Sequence, residues 1–220
     1  MSITTILENR SSIRAFIDRP VENEVLKNIF RLAQRSISNC NVQPWQTYVV
    51  SGETKTKLKN ALIEHIMSRQ QPQPEFDWIP KYQGQHRERQ FGSANALYGA
   101  LGIDRKDKAA QQVSMLQNWR FFNAPHAVFF CMEKYLGIMG AVDLGIYAQT
   151  LSLLMQERGI DSCMQGALGQ FPLPVKQMLN IPDEMGILFG MSFGYADESA
   201  AANNTTTERV ELKESVSFFD

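Results

Sequence analysis

Between residues 138 and 158 the sequence is apolar on nearly every side of a helix. A helix with no watery face must be buried, either in a core or in an interface between subunits. Asp143, Gln149, Thr150 and Ser152 interrupt the run. It therefore falls short of the roughly 20 clean apolar residues that a membrane span requires. The expectation is a central helix of a globular protein with no membrane partner.

Around this helix, other periodicities alternate. Residues 21–36 predict an amphipathic helix, with Val25, Ile29 and Leu32 on one stripe and Pro20 just before it. Residues 45–50 predict a strand that Ser51-Gly52 stops, and residues 54–69 a helix carrying Leu58, Leu62 and Ile66 on one face. Further helices are expected at 93–101, 106–119 and 174–180, and strands at 127–132 and 186–195. Gly159 ends the long helix, which turns into a short extended piece. Residues 200–207 read as an Ala/Asn/Thr-rich arm, and 216–219 could add a last strand. Helices and strands mixed without regular βαβ spacing favour an α+β fold over a doubly wound sheet. The length of 220 residues suits one domain spanning 1–220.

Residues 70–92 break the pattern. Pro72, Pro74, Pro80 and Gly84 punctuate a polar, arginine-rich run that is longer than a usual connection. Trp78, Tyr82 and Phe91 need something to bury against. The segment is either a lid or wall of a site, or an insertion packed on the surface.

The formal net charge of −1 gives no reason to expect a nucleic-acid surface. Cys40, Cys131 and Cys163 are odd in number and far apart, which suits a reducing compartment rather than a disulfide framework. The N-terminus lacks the basic start and apolar block of a secretory signal, so a cytoplasmic location is expected. No Cys/His grouping has metal-ligand spacing, no Gly-x-Gly-x-x-Gly opens a helix, and no Gly-x-Ser-x-Gly elbow occurs.

Two short stretches carry chemistry. Arg10-Ser11-Ser12-Ile13-Arg14 puts two guanidiniums and two hydroxyls within five residues. In a helical turn the two arginines would point the same way, which makes either a solvated basic face or a grip for an anion. Ser38-Asn39-Cys40-Asn41-Val42-Gln43-Pro44-Trp45 sets small polar side chains before a strand. Asn41 and Gln43 each offer donors and acceptors, suited to the edge of a flat heterocycle or to holding a turn. Trp45 reads as core. Cys163, with nothing basic beside it in sequence, reads as a small buried residue.

With Gly159-Ile160-Asp161-Ser162-Cys163-Met164-Gln165-Gly166-Ala167, and Gly194-Tyr195 followed by Arg209, these motifs stand in an order that resembles the FMN-dependent nitroreductase family, in its nitrobenzoate-reductase-like branch. The resemblance implies a central, mostly antiparallel sheet flanked by helices, in an interlocked homodimer with FMN between subunits. It implies that Arg10, Ser11 and Ser12 grip the phosphate and ribityl side of FMN, and that Arg14 lies near the N1–O2 edge of the ring. A fixed cation there stabilises the negative charge that reduction brings. Ser38, Asn39, Asn41 and Gln43 would reach the flavin across the dimer interface. Met164, Gln165 and Gly166 would lie beside N5, though by composition Gly166 also fits an ordinary turn. Arg209 would complete the phosphate grip; relatives often have a second basic residue where Thr207 stands. NADPH or NADH would donate hydride, and a nitroaromatic or quinone would accept it, in ping-pong fashion. No residue beyond the flavin is expected to be catalytic. Trp78, Tyr82, Arg87 and Phe91 are candidates for selecting a small aromatic acceptor. A flavin store or sensor, or a dehalogenase or dehydrogenase on the same scaffold, is the alternative.

Overall fold

The β-branched and aromatic runs become strands β1 (Gln46–Ser51), β2 (His126–Glu133), β3 (Asp161–Gln165) and β4 (Met185–Gly194). The computed structural model describes residues 2–77 and 81–219. All strand pairs are antiparallel, in the order β1-β2-β4-β3. The central strands, β2 and β4, are covered on both sides and so read as near-continuous apolar runs.

Eight helices accompany the sheet among the described residues: α1 (Ile3–Asn9), α2 (Asn23–Ala33), α3 (Gly52–Met67), α4 (Gly84–Ala100), α5 (Lys108–Leu116), α6 (Gly137–Glu157), α7 (Pro172–Leu179) and α8 (Leu212–Ser215). Alternation along β2 divides the core in two. Val128, Phe130 and Met132 pack with Ile29 of α2 and Leu144, Tyr147 and Leu151 of α6. Ala127, Phe129 and Cys131 pack on the other face with Leu58 and Leu62 of α3 and Val175 of α7. Trp45 is core as expected, stacked on Tyr147 at 4.9 Å between centroids. The α+β reading with an antiparallel sheet between helices holds.

The apolar helix resolves into two faces. Leu144, Tyr147, Ala148, Leu151 and Met155 are buried in the core, whereas Ile138, Met139 and Val142 are exposed. The run Lys134–Glu157 is long and apolar enough to cross a membrane, but its inner stripe is packed against the sheet. The outer face adjoins α1, which packs on α6 and exposes Ile3 and Leu7.

Three expectations are corrected. First, residues 84–92 are not irregular: α4 starts at Gly84 and runs unbroken to Ala100. It buries no side chain, so its sequence has no apolar stripe to read. The earlier part of that run is fastened to the sheet. β3 pairs only with Gly190–Gly194, which leaves Ile187 of β4 without a strand on that side. The Glu75 carboxylate takes its place, accepting the Ile187 amide at 2.9 Å and ion-pairing Lys134 at 2.9 Å and Lys176 at 2.8 Å. Phe76 covers Gly186 so closely that a Cβ there would lie 2.6 Å from its ring. Second, residues 216–219 pair with no described strand of their own chain; Val216, Phe218 and Phe219 are exposed beyond α8. Third, α1 was not anticipated. Ser2 caps it, its hydroxyl accepting the Thr5 amide at 3.1 Å.

Candidate functional site

The Arg10-Ser11-Ser12-Ile13-Arg14 segment is extended rather than helical. Ser12 forms a parallel bridge to Ser162, and the Ile13 amide donates to the Ser162 carbonyl at 3.1 Å. The first motif thus lies along the free edge of β3, beside the Cys163–Met164–Gln165 run. Extended backbone alternates sides, so Arg10, Ser12 and Arg14 still share one side while Ile13 turns into a small core with Phe16, Phe122 and Cys163.

Asn203 clamps this segment to the C-terminal arm. Its carbonyl oxygen accepts the Arg14 and Ala15 amides at 2.7 and 3.1 Å, and its Nδ2 donates to the Ala15 and Asp197 carbonyls at 2.8 and 2.9 Å. The clamp brings the two ends of the chain together. Arg10, Ser11, Ser12, Arg14, Thr205, Thr206, Thr207 and Arg209 line one cleft of about 520 Å³, with Leu7, Glu8 and Ser93 at its walls. None of the three arginines is ion-paired among the described residues. Arg209 Nη1 is held by Thr207 Oγ1 at 3.0 Å, and Arg14 Nη1 by the Ser12 carbonyl at 3.3 Å. Thr207, noted for its lack of charge, supplies an oxygen that orients the guanidinium.

Cys163 is buried as expected, but basic groups do reach it in space. Burial raises its thiol pKa against the opposing influence of Arg14, Ser12 and Arg10. A second cavity, of about 560 Å³, shares Arg14 with the cleft. It is lined by Leu97 of α4 and Leu101 just after it, Val113 of α5 and Phe122, with Asp197 near the arm.

The Met164-Gln165-Gly166 segment ends β3 and opens a 3₁₀ turn, Gly166–Gly169. Met164 is exposed, whereas the Gln165 side chain is buried and turned inward. Its Nε2 donates to the Asn118 carbonyl at 2.8 Å, and its Oε1 accepts from the Ser192 hydroxyl. Only the backbone of Gln165 is left to meet a ligand.

Residues 38–43 lie outside the cleft. Asn39, Asn41 and Gln43 are exposed and Ser38 is half-buried. Cys40, Asn41 and Gln43 adopt positive φ values of 48°, 56° and 52°, a conformation that costs energy outside glycine. Two side chains help hold it: Ser38 Oγ accepts the Gln43 amide, and buried Asp143 of α6 accepts the Asn39 amide, each at 3.0 Å.

Of the acceptor-selecting candidates, Trp78 lies outside the described residues. Tyr82 precedes α4. Arg87 and Phe91 stack at 5.2 Å on the face of α4 opposite Gln85, Arg89, Gly92 and Ser93, which face the arm. They line neither cavity.

The model of the Nitroreductase family matches residues 7–195. The chain belongs to the nitroreductase family. The resemblance read from the motifs is thereby borne out. Among similar nitroreductases, the chloronitrobenzene nitroreductase of Comamonas testosteroni is 32% identical over 98% of this chain and 96% of its own. The 4-nitrobenzoate reductase of Pseudomonas putida is 33% identical over 93% of this chain and 89% of its own. The crystal structure of the FMN and NADPH-dependent nitroreductase NfnB from Sphigopyxis sp. strain HMH matches with a TM-score of 0.96 at 36% identity, over 100% of both chains.

Sequence reasoning missed Asn203, Asp143, Ser93 and the Thr205–Thr206 pair. Asp143 alone left a signal, a carboxylate within an apolar helix that had to find a donor.

Proposed function

We propose that this chain is a cytoplasmic, FMN-dependent NAD(P)H nitroreductase that works as a homodimer. The observation that carries the reading is the cleft itself: three guanidiniums that ion-pair with no carboxylate among the described residues, ringed by serine and threonine hydroxyls. Unpaired cations and hydroxyls at this density suit a phosphate with a polyol attached, the chemistry of the FMN tail. The apolar cavity beside Arg14 supports a flat ring system next to that anion site. The names of the similar proteins, which cite FMN, NADPH, nitrobenzoate and chloronitrobenzene, support the same activity.

When bound, FMN would take a hydride from NADPH or NADH and hand electrons to a nitroaromatic, or secondarily a quinone. The chain's own work is to bind and to tune. Arg10, Ser11, Ser12 and Arg209 hold the phosphate and ribityl chain. Arg14 keeps a positive charge at the ring edge where reduction adds electrons. Met164, Gln165 and Gly166 offer backbone to one face of the ring. Ser38, Asn39, Asn41 and Gln43 serve the partner's site, which accounts for a strained, exposed loop that meets nothing in its own cleft. The exposed Ile138, Met139 and Val142 of α6, with Ile3 and Leu7 of α1, form the apolar face on which the dimer closes. Acceptor choice rests with residues 70–92. Because Arg87 and Phe91 line neither cavity of their own chain, they act on the partner's side of the interface.

Anaerobic addition of NADPH to the purified protein tests this reading. A bound yellow chromophore that bleaches at once, and regains colour with a nitrobenzoate, is the expected result. A colourless protein, or a yellow one that NAD(P)H does not bleach, contradicts it.

A further inference from the structure

Gln165 is 2% exposed and Ser192 fully buried, so their polar groups must find partners within the protein. The orientation of the Gln165 amide is fixed by its surroundings. It faces the Asn118 backbone carbonyl at 2.8 Å, a group that only accepts, and Asn118 Oδ1 at 3.3 Å. Nε2 must therefore point there, and Oε1 toward the Ser192 hydroxyl. Two residues further on, the Trp119 indole donates to the Ala167 carbonyl at 3.0 Å. Asn118 and Trp119, in the turn after α5, thus pin the exit of β3 at both ends.

We propose that Gln165 is a positioning residue: its inward carboxamide locks the backbone from Met164 to Ala167 to the turn after α5, and an amide is required there. The role rests on the reading above, in which this backbone lies against the flavin ring. A carboxylate of the same shape would turn negative oxygen toward two Asn118 oxygens and lose the donor. A carboxylic acid would regain it, because its O–H can donate to the Asn118 carbonyl while the other oxygen still accepts from Ser192.

The test is Gln165→Glu, followed from pH 8 to pH 5.5 against the natural protein at each pH. No titratable group on β4 or on the 166–169 turn faces this site; Arg120 is the charged residue of the 117–120 turn, and Asp161 and Cys163 those of β3. Two readouts are expected at pH 8. Backbone amides of 164–169 exchange faster in the cofactor-free variant, and FMN binds about tenfold more weakly, the worth of one strong hydrogen bond. Both differences shrink as pH falls and the buried carboxylate takes up its proton. Gln165→Met, similar in volume but unable to bond, shows the same losses with no recovery. Exchange and binding equal to the natural protein at pH 8 would overturn the proposal, and so would a loss in Gln165→Glu that acid does not repair. If the natural protein binds no FMN, the functional reading fails, while the exchange comparison still decides the lock.

Discussion

Arg10 and Arg209 stand at opposite ends of the chain, yet both line one cleft, and neither is ion-paired among the described residues. Replacing either by Ala removes a charged donor to phosphate, worth about 1.5–3 kcal/mol, so FMN affinity should fall roughly tenfold to a hundredfold. Equilibrium dialysis reads this directly, and unchanged affinity would remove the residue from the site. Arg14→Ala should lower the two-electron midpoint potential of bound FMN, on the order of 30 mV for about 1.4 kcal/mol of lost charge stabilisation. A spectroelectrochemical titration with an unmoved midpoint would defeat that role. His126 gives a prediction about pH. It is buried on Phe193, its Nε2 accepts the Val21 amide at 2.9 Å, and Nδ1 has no partner among the described residues. Burial, with Lys55 nearby, lowers its pKa from 6.5 to about 4. The unfolded chain therefore binds the proton more readily. Stability is full above pH 6.5 and falls toward pH 4, by on the order of 3 kcal/mol. Urea midpoints should drop across that window, and less so in His126→Phe; identical slopes would exclude the histidine as the cause.

At the scale of elements, legibility followed burial. β1, β2 and β4 and helices α2, α3 and α6 present stripes or runs of apolar residues to the core, and those patterns were readable. α4 packs no buried side chain; its second half was readable as a helix, whereas the Gly, Gln and Arg composition of residues 84–92 looks like a loop. The Arg10–Arg14 pair shared a side for a different reason than a helical turn, because residues four apart also align on extended backbone. Contacts that complete the site join residues far apart, such as Asn203 to Arg14 across 189 positions and Glu75 to Ile187 across 112, and no local pattern announces them. Glu75 fastens residues 70–77 to the sheet. Burial alone would raise its pKa, but Lys176, the Ile187 amide and Lys134 together lower it. Its contribution is present above the usual carboxylate range and lost as pH falls through the lowered value. Glu75→Ala takes the closest counter-charge from two lysines, which keep their backbone carbonyls, and leaves the Ile187 amide without its acceptor, so a loss of about 3 kcal/mol in unfolding free energy is expected. A loss below about 0.5 kcal/mol, the range of ordinary surface changes, would show that the anchor carries no weight.

For the whole molecule, the exposed apolar face of α1 and α6 and the strained loop at residues 38–43 belong to one account. In the proposed function the face closes a dimer, and closure would deliver the loop to the partner's flavin. Val142→Arg should shift sedimentation toward a single chain and weaken FMN binding in parallel. A lone chain with unaltered FMN affinity would separate the two. In the proposed function, both ends of one chain, with a loop from its partner, hold FMN. Spectrophotometric titration of cofactor-stripped protein with FMN, with the mass of the complex followed at each step, tests it most directly. Saturation at one FMN per chain on a two-chain particle is the expected result. No uptake, or stoichiometric uptake by an isolated chain, would contradict it.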